Sequence, residues 1–196
     1  MSSLSEFGDC VFATRRLSIG PWHGAAQEHG INLTEAVTGI LTHTTTQSLP
    51  PSWQGEYTVE RAGRWVVERD GESPTLLAVD RGSGEPVGLM MLHEDFNEDG
   101  VQSNLRIGYV VKESFWGEGI ASELVSGLVD WARSQTRIRS IIAGVESQNA
   151  ASVRVLVKNG FRLTDRGPAE NTDTYTLELR SRHPTWKPAV TPINST

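Results

Sequence analysis

Residues 115–122 read FWGEGIAS, two glycines one residue apart in front of an apolar run with helical spacing. Glycine has no Cβ, so backbone there can come very close to a neighbouring strand or a ligand. A helix entered through such a turn also directs unpaired N–H groups and a partial positive charge at what lies before it, which suits phosphate or pyrophosphate. The stretch is not GxxxxGK[ST], and it is not GxGxxG, because Ser122 stands where the third glycine belongs. Local rules therefore leave a ligand and plain close packing both open. The second chemical pair is Asn149 and Ser152 in VESQNAASVRVLVKNGF. Taken alone, Asn149 reads as a helix N-cap and Ser152 as a helper in the same first turn.

Other candidate chemistry is weaker. DFNEDG offers Asp95, Asn97, Asp99 and Gly100 in the order of a calcium loop, but the twelfth position, which needs a bidentate glutamate, is Arg106. A solvated turn explains the composition better. The five histidines are scattered without HxxxH or Cys/His spacing, so no metal is expected. No GxSxG elbow occurs, and the single cysteine, Cys10, lies in a terminus expected to be mobile, so no nucleophile is indicated.

The elements that must position these residues follow from periodicity. ATRRLSIGPW reads as a first strand ended by Pro21. In NLTEAVTGILT, Asn32 caps a helix with Glu35 three positions on, and Leu33, Val37, Ile40 and Leu41 share a face. A second helix is expected from about Thr58 to Arg69, burying Val59, Ala62 and Val66 and ending at Gly71. TLLAVD and PVGLMMLHE form an antiparallel hairpin, and NLRIGYVV is the next strand. The glycine loop then opens a long helix with Ile120, Leu124, Leu128 and Trp131 or Ala132 in register, running to about Ser134. RIRSIIAGV is a strand, Asn149–Lys158 a short helix stopped by Gly160, and TYTLELR a last strand with Tyr175, Leu177 and Leu179 on one face. One mixed α/β (α+β) domain is expected over 14–182, after a lead at 1–13 and before a proline-bearing tail at 183–196 that reads as extended or disordered.

Bulk composition restricts partners. A chain of 196 residues suits one domain, and 37% hydrophobic content can build its core. With 18 Lys+Arg against 24 Asp+Glu the formal charge is -6, which argues against nucleic acid or an anionic membrane as the main partner. No apolar stretch approaches the roughly 18 residues a bilayer crossing needs. MSSLSEFGDC lacks the charged and apolar regions of a secretion signal, so the cytoplasm is the expected location.

Taken in order, TRRLSIGPW, PVGLMML, RIGYVVKESFWGEGIASEL and VESQNAASVRVLVKNGF resemble the GNAT superfamily of acetyl-coenzyme A dependent N-acetyltransferases. Within it the chain is similar to the Rim-type group, the ribosomal-protein-alanine N-terminal acetyltransferases, from about Thr14 to Leu179. The resemblance implies a mixed, mostly antiparallel sheet of six to seven strands flanked by about four helices. It implies acetyl-coenzyme A as co-substrate and no metal. Pantetheine would lie along Val110 and Val111. The pyrophosphate would sit on the loop amides of Trp116, Gly119 and Ala121, with Gly117, Glu118, Ile120 and Ser122 as neighbours in the same cofactor-binding loop. Asn149 would hold the pantetheine arm, and Ser152 would lie near the thioester sulfur. Trp116 replaces the Gln or Arg of the general pattern, so any phosphate contact there would come from backbone.

The implied reaction is direct attack of a neutral amine on the thioester, with the Val111 N–H as oxyanion donor and Ser152 supplying or relaying a proton to the thiolate. An α-amine with pKa about 7.7–8.0 is neutral to roughly one part in ten at pH 7, whereas a lysine at about 10.4 is neutral to less than one in a thousand. An N-terminal α-amine thus needs little more than a water-mediated base. Many relatives carry a glutamate where this chain has Arg106; the substitutes are Glu146 and, more distantly, His93 or Glu94. A protein or peptide N-terminus is the expected acceptor, with a polyamine or aminoglycoside, or a non-catalytic coenzyme A-binding role, as alternatives. The protein is expected to be a monomer or homodimer.

Overall fold

Alternating apolar residues in the middle of the chain build a sheet whose two faces each receive helices. A computed structural model describes residues 10–98, 100–167 and 172–179. The elements are β1 (Phe12–Ala13), β2 (Leu17–Pro21), α1 (Trp22–His29), α2 (Leu33–Ile40), α3 (Val59–Glu72), β3 (Thr75–Asp80), β4 (Pro86–Phe96), β5 (Ser103–Val111), α4 (Ile120–Ser134), β6 (Ile138–Glu146), α5 (Ala150–Lys158), β7 (Arg162–Arg166) and β8 (Thr172–Glu178). Among the described residues these strands form one sheet in the order β1-β2-β3-β4-β5-β6-β8-β7. Every neighbouring pair is antiparallel except β5 with β6, which are parallel. The tail at 183–196 and residues before Cys10 lie outside the described residues.

The fold is the expected mixed single domain, with eight strands and five helices where six to seven and about four were expected. The extra helix is α1, which buries Trp22, Ala25 and Ala26. Its start is Pro21, which supplies no side-chain cap, and Gly24 interrupts it, so the usual signals of a helix are weak. In α3 the expected Val59 is 62% exposed, because it occupies the first helical position; Ala62, Trp65, Val66 and Arg69 form the buried stripe instead. Gly71 does not end α3, which continues to Glu72 and closes with the Ser73 N–H on the Arg69 carbonyl.

One core packs α4 (Leu124, Leu128) against Leu92, Leu105 and Ile141. The other packs α1, α2 and α3 (Trp22, Ile40, Trp65) against Leu77 and Leu89 on the opposite face. Cys10 is fully buried in the first core, not mobile as the sequence suggested, and burial pushes its thiol up to about 12. It is chemically inert for that reason. No helix among the described residues is long and apolar enough to cross a membrane.

The feature that makes a site is the end of the parallel pair. β5 and β6 pair from Ser103↔Ile138 to Ile107↔Ala143 and no further. Gly108–Val111 and Gly144–Glu146 continue as strands beyond that point, leaving a gap at their C-terminal ends. Crevices at such strand ends are where α/β sheets take ligands.

Candidate active site

The free edge of β5 faces this gap. Asn97 N–H bonds the Gln102 carbonyl at one end of the β4–β5 ladder and Lys112 N–H bonds Val87 at the other. With Val110 opposite Leu89 and Val111 opposite Gly88, antiparallel alternation gives the polar groups of Val110 to β4. Those of Tyr109 and Val111 turn to the other side, towards the gap. Side chains alternate at right angles to this: Val110 joins the α1–α3 core and Val111 the α4 core.

The glycine loop closes one end of the gap. Gly117 and Gly119 adopt φ of 79° and 81°, left-handed conformations that residues with a Cβ rarely take. Gly119 caps α4 without any side-chain hydrogen bond, and its carbonyl already accepts from Glu123 N–H. The N–H groups of Ile120, Ala121 and Ser122 have no intrahelical carbonyl to meet. Nothing lies within 4 Å of a Cβ placed on Gly117, so the backbone there is open to approach. The Trp116 indole N–H donates to the Val111 carbonyl at 2.8 Å, tying loop to strand with half of the ring still exposed.

Helix α5 closes the other side. The Asn149 side-chain oxygen accepts the Ser152 N–H at 3.0 Å, the capping role that local rules predicted, and its Nδ2 has no protein partner. The Tyr109 hydroxyl is buried without a hydrogen-bond partner. Burial pushes that phenol's pKa up, and the Ser152 side chain beside it pulls the other way. Asn159 Nδ2 reaches the Ser122 carbonyl and hydroxyl, each at 3.3 Å, and so fixes α5 to the start of α4.

These parts line one cavity of about 840 Å3. Of the residues singled out from sequence, Val110, Val111, Trp116, Gly117, Gly119, Ile120, Ala121, Ser122, Glu146, Asn149 and Ser152 all reach its wall. Glu118 does not; its carbonyl instead accepts from Arg16 Nη1 at 3.1 Å. The cavity passes through the gap to the α1–α3 face, where Trp53, Met91, His93 and Arg106 line it. Glu94 is no candidate base: its side chain is 5% exposed and bound to Arg137 and the Ser103 hydroxyl on the other face. Asp95, read as part of a possible calcium loop, is bound to Arg106 and His93; Asp99 lies outside the described residues. No group of three or more His, Cys, Asp or Glu is placed to hold a metal among the described residues.

Sequence reasoning missed a clamp behind the loop. The Glu123 carboxylate accepts from the Thr14 hydroxyl (2.6 Å), the Arg16 N–H (2.8 Å) and Arg16 Nε (2.6 Å). Burial alone would push Glu123 up, but these bonds and the Arg16 charge hold it below the usual carboxylate range. The clamp thereby fastens the β1–β2 turn to the first turn of α4. Its signal was the TRR of the opening motif, which carries no meaning until Glu123 is across from it. Arg154 and Lys158 on the wall were also missed, because one turn of a helix bearing two cations reads as a solvated face.

Residues 34–162, well over half of the chain, match the family described as Acetyltransferase (GNAT) domain. An uncharacterised N-acetyltransferase, YoaA, of Bacillus subtilis (strain 168) is 30% identical over 106 residues, which cover 54% of this chain and 52% of that protein. The L-methionine sulfoximine/L-methionine sulfone acetyltransferase of Salmonella typhimurium is 36% identical over 70 residues, covering 36% and 40%. The chain spans about half the length of the first curated relatives it matches. Among solved structures, yncA from Salmonella typhimurium, determined with its cofactor acetyl-CoA, superposes with a TM-score of 0.61 at 21% identity, covering 87% of this chain and 98% of its own.

Proposed function

The chain belongs to the GNAT acetyltransferase family, and from that premise we propose that it moves an acetyl group from acetyl-coenzyme A to a primary α-amine. The observation that carries the reading is the single cavity that joins the unpaired α4 amides, the free edge of β5 and the capped start of α5. Its donor end fits the co-substrate: space without Cβ atoms at Gly117, a helix start with no cap, and Arg154 and Lys158 on the wall suit a pyrophosphate. The amides from Gly117 to Ser122 that face the cavity would hold that group, the expected Trp116 N–H being spent on the Glu113 carbonyl; Val111 and the Asn149 Nδ2 would hold the pantetheine arm, and Val110, whose polar groups go to β4, only lines it.

Acetyl-coenzyme A brings a thioester carbonyl open to attack and a thiolate able to leave. The Val111 N–H, turned to the gap, donates to oxygen as negative charge develops there. Ser152, beside the Tyr109 hydroxyl, holds a proton within the same buried polar patch for the departing sulfur. Glu146, at the end of β6 on the cavity wall, takes the amine's proton directly or through a water. The Rim-type motifs point to a protein or peptide N-terminus as acceptor, a reading that the residues on the acceptor wall do not favour. A small amine is the second reading, supported by a relative whose name gives methionine sulfoximine and sulfone as substrates.

Isothermal titration of the full chain with acetyl-coenzyme A tests the donor site, and absence of heat at high micromolar protein sinks it. Thiol release over a panel of peptides and small amines tests catalysis. Binding without release above background would leave a coenzyme-binding protein in place of an enzyme.

A further inference from the structure

The acceptor half of the cavity has a charge pattern of its own. The chain carries a net -6, yet the ionisable wall residues among those described are Arg106, Arg154, Lys158 and His93 against one carboxylate, Glu146, with Tyr109 buried. Arg154 and Lys158 stand on α5, at the donor end. That leaves Arg106 and His93 to face an acceptor, from strands opposite each other in register.

Arg106 is held in a particular way. Its Nε binds Asp95, which also takes His93 Nε2 at 3.2 Å, so the root of the guanidinium is fixed. Both Nη nitrogens lack a hydrogen-bond partner among the described residues, and the side chain is 58% exposed. A fixed guanidinium with two free N–H-bearing nitrogens matches a carboxylate in geometry as well as charge. Two residues further along the same face is Gly108, immediately past the last β5–β6 pair. The Met91 methyl rests over it, 3.3 Å from where a Cβ would sit, so the strand surface between Arg106 and the mouth of the gap is low and apolar, and two strand residues span only about 7 Å. A group resting on Arg106 thus places an amine a few bonds away over the opening.

We propose that Arg106 selects acceptors carrying a carboxylate beside the reacting amine, that is, free α-amino acids and their analogues in preference to amides or peptide N-termini. This rests on the acetyl-transfer reading above and names the substrate class of that same site. The transfer itself keeps its balance: the amine nitrogen gains the acetyl carbon, the carbon–sulfur bond breaks, and the amine's proton leaves while the thiolate gains one.

The test measures acetyl transfer by the full chain to a panel of L-α-amino acids, the matching primary amides and a set of short peptides. Acids should exceed their amides in kcat/KM by roughly tenfold or more, the value of a hydrogen-bonded charge pair. In Arg106→Gln that ratio should fall towards one, with Arg106→Lys keeping part of it. Amides or peptides used as well as acids by the native chain, or a ratio untouched in Arg106→Gln, overturns the proposal and leaves acetyl transfer standing. Absence of thiol release with every acceptor overturns both.

Discussion

On the proposed function Gly119 and Asn149 each do two jobs, one for the fold and one for the coenzyme, and the jobs can be separated by substitution. At φ 81° any side chain on Gly119 is strained, by about 1–2 kcal/mol, whatever space surrounds it. Gly84, in the β3–β4 turn at φ 75° with open space around it, carries the same strain away from the site. Gly119→Ala and Gly84→Ala should therefore lose similar thermal stability, while only Gly119→Ala loses acetyl-coenzyme A affinity by titration. Equal binding in both would mean that the loop does not carry the pyrophosphate. For Asn149, replacement by Ala removes a helix cap at about 1 kcal/mol, whereas Asp keeps the capping oxygen and discards Nδ2. Asn149→Asp should melt within a few degrees of the native chain yet bind the coenzyme more weakly. At this scale the sequence was legible wherever a residue's role is local. FWGEGIAS and NAAS announced a turn and a cap, but the Tyr109 hydroxyl and the Arg106 fork acquire meaning only from neighbours distant in sequence.

Between elements, the Arg16–Glu123 clamp joins the β1–β2 turn to α4 and so holds the loop in front of that helix. Glu123→Ala should destabilise the fold by on the order of 2 kcal/mol, since it strands the Thr14 and Arg16 donors. The pH dependence has a definite sign. Because the folded pKa is depressed below the ordinary value of 4.5, the carboxylate's contribution is fully present above that value and is lost as pH falls through the lower folded pKa. The stability difference between the native chain and Glu123→Gln, followed by denaturant melts from pH 7 to pH 3, should be flat at first and shrink only below about 4.5. A difference that grows on acidification would assign the stabilisation to another group. The long elements were readable because their periods are strong: α4 repeats Ile120, Leu124, Leu128 and Ala132, all buried. The two-residue β1 was not, being too short for a period to show, nor was α1, which lacks the side-chain cap that marked the equally long α2 and carries Gly24 inside it.

On the scale of the whole molecule, the donor end of the cavity is built from consecutive motifs and was visible in sequence. The acceptor end is assembled from the segment before α3 and from facing positions of β4 and β5, and no local signature marks residues brought together only by the sheet. The gap between β5 and β6 runs through the sheet and is lined from both faces. On the proposed function, coenzyme held by α4 and α5 would not cross the path of an amine arriving over Met91 and Arg106. Entry from opposite faces would set the kinetic order: both substrates would occupy the enzyme together, and neither would have to leave before the other enters. Initial rates measured against each substrate at several fixed levels of the other should therefore give double-reciprocal lines that intersect, whereas parallel lines would require an acetylated protein that this arrangement does not use.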